Sequence, residues 1–225
     1  MTITPIAYFR SPFPTKFGIP RQSGVVAALR GRIELVPPYR SAEALRGLDD
    51  FDWLWLVWGF SANGGGRQRL TVRPPRLGGN RRVGVFATRS PFRPNGLGLS
   101  AVRLERVDWA APGGPLIHVS GADLMDGTPV FDIKPYLPFA DSHPDARQGF
   151  AGDGRWPVLS VEFAAALPAG MGEAEARTLA DVLSQDPRPH YHDDPARVYG
   201  MPYGAWDVRF TVVGGVLRVV EFVAR

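Results

Sequence analysis

Over the first 140 residues or so, apolar and β-branched residues come in short runs separated by Gly, Pro and Asn clusters. The runs are Ile3 to Phe9, Gly24 to Leu29, Arg32 to Val36, Trp53 to Phe60, Arg82 to Ala87, Leu97 to Val107, Leu116 to Ser120 and Val130 to Lys134. Short β-prone runs punctuated by turn formers predict a barrel or sandwich. One short helix is expected at Ser41 to Leu48, with Ser41 as its N-cap and Gly47 near its end. Strands alternating with long helices are absent, which argues against a doubly wound nucleotide-binding sheet.

The composition shifts to Gly, Asp and Ala around Arg147 to Trp156, which places a boundary there and divides the chain into 1–146 and 147–225. The second part reads as α+β. A strand is expected at Val158 to Ala164. A helix is expected at Gly172 to Ser184, with Ala176, Leu179, Val182 and Leu183 as its apolar positions. Two closing strands, Trp206 to Val213 and Val216 to Phe222, are joined by Gly214-Gly215, a two-residue hairpin signal. No internal repeat is present.

Composition narrows the function. The chain has 225 residues, 44% hydrophobic and 21% charged, the values of a globular protein with a substantial core. With no cysteine, disulfides, zinc-thiolate sites and a cysteine nucleophile are excluded. No apolar run approaches the roughly 18 to 20 residues of a membrane helix. The N-terminal Met1-Thr2-Ile3-Thr4-Pro5 lacks the basic and apolar parts of a signal peptide. A cytoplasmic protein without a membrane partner is therefore expected.

Charge is distributed unevenly. No acidic residue occurs between Asp52 and Glu105, a stretch that carries Arg67, Arg69, Arg73, Arg76, Arg81, Arg82, Arg89, Arg93 and Arg103. Only Lys16 and Lys134 are lysines, so a general preference for arginine explains the type of cation but not the missing acids. One-sign density of this kind predicts contact with a polyanion.

Gly96-Leu97-Gly98-Leu99-Ser100-Ala101 fits the G-x-G-x-x-A dinucleotide pattern, but that pattern works only between a strand and a helix. Here it follows Arg93-Pro94-Asn95 and leads into a β-prone run, so the match is rejected. His190 and His192 near Asp193 and Asp194 invite a metal reading, yet the surrounding prolines mark a loop, and no metal is expected. Three segments remain. Lys16 to Gln22 is a Pro- and Gly-shaped loop that presents Arg21 and Gln22 as planar hydrogen-bonding heads. Gly84 to Gly98 runs from a strand into a rigid loop with Arg89, Phe92, Arg93 and the turn-forming Asn95-Gly96. Gly121 to Tyr136 places Asp123, Asp126, Asp132, Lys134 and Tyr136 close together in sequence.

On these segments the chain strongly resembles the TsaA family, also called TrmO or YaeB. The resemblance covers Val83 to Ser100 and Asp123 to Ala140. It extends to Lys16-Phe17, Pro20-Arg21-Gln22, Thr71 to Asn80 and Gln185 to Pro189. It implies a mainly β protein, with a β-barrel S-adenosylmethionine-binding domain outside the Rossmann class and a small α+β C-terminal domain after it. It also implies a homodimer and an N6-methylation of threonylcarbamoyladenosine beside the tRNA anticodon. Carried over by position, the cofactor contacts are Pro20, Arg21, Gln22, Arg89, Leu99, Asp123, Leu124, Met125 and Asp126, together with Ser61 and Ala62. The last two stand where the family usually has a His-containing polar pair.

The acceptor N6 of such a nucleoside is a poor nucleophile, because its lone pair is delocalised into both the purine and the carbamoyl carbonyl. It must also lose a proton. Asp132, Lys134 and Tyr136 are the expected groups for polarising the carbonyl or moving that proton. Arg93 and Asn95 are candidates for the acceptor's polar handles, and the stretch Arg67 to Arg82, with Arg73 and Arg76, together with Arg188 and Arg197 for the anticodon-stem backbone. Phe92, Tyr191 and Tyr199 are candidates for stacking on flipped bases. Two other readings stay open from sequence: a non-catalytic RNA-binding module of the same fold, and a methyltransferase acting on a different small substrate.

Overall fold

A computed structural model describes residues 2–63, 69–78, 80–152, 157–188 and 194–225. Six strands close into a barrel: β1 (Ala7–Arg10), β2 (Arg30–Leu35), β3 (Trp53–Gly59), β6 (Leu97–Asp108), β7 (Leu116–Ser120) and β8 (Pro129–Pro135). Their spatial order is β1-β2-β7-β6-β3-β8, every pair is antiparallel, and β8 pairs back onto β1. Alternation along each strand fills the inside. Phe9, Ile33, Leu35, Leu54, Leu56, Val102, Ile117, Val119 and Val130 are buried, while Trp53, Trp55 and Val57 face outward. Each fully buried Leu or Ile contributes about 1.5–3 kcal/mol.

Between β3 and β6 the chain forms a two-stranded excursion, β4 (Thr71–Val72) and β5 (Val83–Gly84), followed by a single 3-10 turn at Val85–Ala87. The short β-prone run expected at Arg82 to Ala87 is thus a strand of only two residues. The first helix, α1 (Ala42–Leu45), is capped as read. The Ser41 hydroxyl accepts from the Glu43 N–H at 3.2 Å, and Gly47 adopts the left-handed conformation. A second short helix, α2 (Pro138–Asp141), follows β8.

The C-terminal part is a four-stranded sheet, β10 (Tyr199–Tyr203), β11 (Trp206–Val213), β12 (Val216–Ala224) and β9 (Ser160–Phe163), covered by helix α3 (Glu173–Ser184). Gly214 and Gly215 both have positive φ, 58° and 82°, as the hairpin turn requires. Helix α3 buries Ala176, Leu179, Val182 and Leu183, the stripe read from sequence.

One expected strand is absent and one strand is unexpected, each for a physical reason. Gly24 to Leu29 is a series of turns rather than a strand. Val26 and Leu29 leave the barrel and join Phe13 in the core beneath α3 and its sheet. β10 was not expected, because Pro202 interrupts its pattern. It lies at the sheet edge, where a missing N–H costs nothing. Tyr199 is also not a surface platform. It is buried against Phe210 at 5.6 Å, with Arg197 over its ring. Its hydroxyl has no hydrogen-bond partner among the described residues. Tyr199→Phe is therefore expected to hold or raise stability, by about 1 kcal/mol. Urea denaturation checks this, and a loss of stability would reveal a partner for the hydroxyl.

Candidate functional site

A cavity of about 690 Å³ lies at the barrel rim. Its floor is the outer side of β3 and β6, including Trp55, Val57, Leu97 and Leu99, with Trp58 at the edge. Three segments wall it in: the loop around Lys16 to Gln22, the turn Ser61–Asn63, and the loop from Thr88 to Arg93. Asp123 and Met125 enter from the segment before β8.

Local chemistry shapes both loops. Gly18 has φ of 87°, and a Cβ there would overlap Met201, so only glycine lets the first loop lie against the second sheet. The second loop is stapled by its own hydroxyls. Thr88 Oγ1 donates to the Val85 carbonyl at 2.8 Å and accepts from the Ser90 N–H at 3.2 Å. Arg93 Nη1 donates back to the Thr88 carbonyl at 3.0 Å. Arg89 Nη1 then reaches Gln22 Oε1 at 2.5 Å and ties the two loops together.

Four cations line the cavity, Lys16, Arg21, Arg89 and Arg93, against one carboxylate, Asp123. Burial lowers the pKa of Arg21, and the field of Asp186 partly restores it. Burial raises the pKa of Asp123, opposed chiefly by a hydrogen bond from Ser100 and more weakly by its own backbone N–H, Arg89 and Ser23.

Of the cofactor residues read from sequence, Pro20, Arg21, Gln22, Ser61, Ala62, Arg89, Leu99, Asp123 and Met125 line this cavity. The Leu124 side chain is instead buried in the barrel core. Asp126 accepts from the Ser11 N–H at 3.1 Å and lies 3.8 Å from Arg10, so it ties the segment to the end of β1. Asp132, Lys134 and Tyr136 are not in the lining. Lys134 and Asp132 form an ion pair at 3.0 Å, paired in register with Trp55 and Val57 of the cavity floor. The Tyr136 ring meets Trp55 at 5.4 Å.

Among the substrate candidates, Arg93 lines the cavity. Asn95 sits exposed in the turn before β6, and Arg73 is exposed after β4. Arg188 forms a fork with Asp186 at 2.8 and 2.9 Å, in a smaller cleft shared with Lys16 and Arg21. The Arg76 side chain, Arg67, Tyr191, His190 and His192 lie outside the described residues. Phe92 is exposed, with Arg69 5.6 Å from its ring centre. Among the described residues no group of three or more His, Cys, Asp or Glu is placed to hold a metal ion, and no helix is long and apolar enough to cross a membrane.

Sequence reading did not single out Trp55, Trp58, Ser100 or Lys16 as site residues. The first two read as core of an apolar strand. Ser100 falls inside the dinucleotide-like stretch Gly96 to Ala101, which the structure places in a turn and the start of β6 with no helix after it.

A closed antiparallel barrel with a mixed-charge cavity on its outer rim defines a class of ligand-binding barrel built without a Rossmann sheet. Residues 8–142 match the tRNA-methyltransferase O N-terminal domain and residues 157–225 match the TrmO C-terminal domain. A protein of Escherichia coli K12 named tRNA (adenine(37)-N6)-methyltransferase is 42% identical over 222 residues, covering 95% of this chain and 94% of that protein. A Pseudomonas aeruginosa protein named putative S-adenosylmethionine-dependent methyltransferase RcsF is 45% identical, covering 92% and 90%. A crystal structure of TrmO from Pseudomonas aeruginosa superposes with a TM-score of 0.81 at 36% identity, covering 100% of this chain and 98% of that one. The chain belongs to the tRNA-methyltransferase O family.

Proposed function

We infer that this chain is an S-adenosylmethionine-dependent tRNA methyltransferase that methylates N6 of threonylcarbamoyladenosine beside the anticodon. The observation that carries this reading is the rim cavity, with four cations and a single carboxylate over an apolar floor, in a chain of this family. The cofactor's own groups fit such a site. Its carboxylate suits Arg21 or Arg89, its cationic groups suit Asp123, and its purine suits the surface of Leu97, Leu99 and Met125. A volume of about 690 Å³ is in the usual range for a bound small molecule. When bound, the cofactor supplies an electrophilic methyl group on a sulfonium.

The chain's residues supply alignment, which is where most of the acceleration of an in-line transfer arises. The Arg89–Gln22 bond holds the two loops at a fixed spacing. The acceptor base is proposed to enter over Trp55, where it meets Lys134, Asp132 and Tyr136. Lys134 polarises the carbamoyl oxygen. Asp132, paired with it, would take the N6 proton directly or through water. Lys134→Ala is then expected to slow single-turnover methylation about 10²-fold with cofactor affinity kept. An unchanged single-turnover rate removes Lys134 from the mechanism.

The exposed Arg69, Arg73, Arg81 and Arg82 form the proposed backbone-binding side, with the part 147–225 as a second domain beside it. A cytoplasmic homodimer is proposed, and Leu70 and Phe86 are exposed apolar side chains that its interface would cover. Methyl transfer from labelled S-adenosylmethionine to tRNA tests the function. Label is expected only in tRNA that carries threonylcarbamoyladenosine. Equal label in unmodified tRNA would assign a different acceptor.

A further inference from the structure

Ser100 is the least expected residue in the barrel wall. It lies on β6 opposite Leu56, is 1% exposed, and precedes Val102 and Leu104 on the same inward face. An alanine would fill such a position without burying a hydroxyl, and a buried hydroxyl is costly unless it is bonded. Its bonds explain its presence. Trp58 Nε1 donates to Ser100 Oγ at 3.0 Å, and Ser100 Oγ donates to Asp123 Oδ1 at 2.6 Å.

The direction of this chain of bonds is fixed by chemistry. An indole N–H donates and cannot accept, so the lone pair it uses on Ser100 turns the hydroxyl proton toward Asp123. The second bond is short, and it leaves Asp123 as the acceptor of the hydroxyl proton. Gly98 keeps the arrangement open, because a Cβ there would overlap the Trp58 ring. The result is one carboxylate, in a cavity whose other charged lining residues are cations, that receives a dedicated donor from the core.

Resting on the cofactor reading given above, we propose that Ser100, oriented by Trp58, is a positioning residue that keeps Asp123 ionised and aimed into the cavity to receive the cationic part of the cofactor. Ser100 touches no ligand itself and acts through Asp123. The charged groups that share the cavity with Asp123 are Arg89 and Arg93 on the second loop and Lys16 and Arg21 on the first. Arg89 favours the same charged form, and burial opposes it.

The test is the dissociation constant of S-adenosylmethionine, measured by calorimetry from about pH 5 to pH 8, for the full chain and for Ser100→Ala, Ser100→Thr and Trp58→Phe. Wild-type affinity is expected to fall in acid, as Asp123 takes up a proton. Ser100→Ala leaves burial less opposed, so its acid limb moves to higher pH and its affinity near neutrality falls about tenfold. Ser100→Thr keeps the hydroxyl and restores the limb, and Trp58→Phe lies between. A structural role alone would lower the melting temperature without moving the limb. If Ser100→Ala and wild type show superimposed pH curves, or if Ser100→Thr is as weak as Ser100→Ala, the proposal is overturned while the cofactor reading stands. A wild-type chain that binds no S-adenosylmethionine at any pH overturns the cofactor reading and this inference with it.

Discussion

Asp123→Asn is expected to weaken S-adenosylmethionine binding by about one to two orders of magnitude and to flatten its dependence on pH. Asparagine keeps the shape of the side chain and an oxygen that can accept from Ser100, so the barrel should fold as before. It removes only the charge. Among the residues that line the cavity, Asp123 is the single acid facing four cations, and no other side chain there can balance a cationic ligand group. A hydrogen bond to a charged partner contributes about 1.5–3 kcal/mol, which sets the size of the effect. Burial raises the pKa of Asp123, so wild-type affinity should be retained at high pH and lost as pH falls through that raised value. The asparagine variant has no such group to titrate. Calorimetric titration at several pH values, with a melting curve as control, distinguishes the two. Wild-type affinity within twofold in the variant would mean that the cation lies elsewhere.

Gly98→Ala is expected to destabilise the barrel by about 1–3 kcal/mol and to weaken cofactor binding at the same time. The added Cβ would overlap the Trp58 indole, which is itself held against Phe60 at a ring separation of 4.4 Å and bonded to Ser100. Neither the ring nor the strand can yield cheaply in a closed barrel. A shift of the ring would carry away the N–H that orients Ser100 and one edge of the cavity. For a chain of this length each kcal/mol corresponds to about 2–4 °C of melting temperature. Gly84→Ala is the control, because nothing lies within 4 Å of a Cβ at that position. It should change stability by less than about 0.5 kcal/mol. Equal melting temperatures for the two variants would show that the ring has room to move.

Legibility from sequence followed how local each determinant was. Helix α3, the Gly214-Gly215 hairpin and the long strand β6 depend on neighbouring residues, and all three were readable. The turns from Gly24 to Leu29 were not. Val26 and Leu29 are as apolar as strand residues, and only tertiary packing shows that they serve the C-terminal core with Phe13. β10 was hidden by Pro202, which a pattern reading treats as a break and an edge strand tolerates.

The candidate site divides in the same way. Its loop residues stood out by the Pro- and Gly-shaped segments that carry them, and resemblance to a family added their expected role as cofactor contacts. Lys134 and Asp132 were singled out instead from their closeness in sequence and the chemistry of the acceptor, and the structure sets them one strand away from the cavity lining. Ser100 and Trp58 carried no signal. A serine or tryptophan in a strand is ordinary, and their bond joins residues 42 positions apart. The role of Asp186 was equally invisible, since its fork with Arg188 matters only because the same cleft holds Arg21 and Lys16.

A crystal structure of the chain with S-adenosylmethionine should find the cofactor in the rim cavity between the Lys16 to Gln22 and Thr88 to Arg93 loops, with a cationic atom against Asp123 and the methyl group facing Trp55. Cofactor bound inside the barrel, in the cleft beside Arg188, or in the rim cavity with its carboxylate at Asp123 would contradict Asp123 as the receiver of the cationic group.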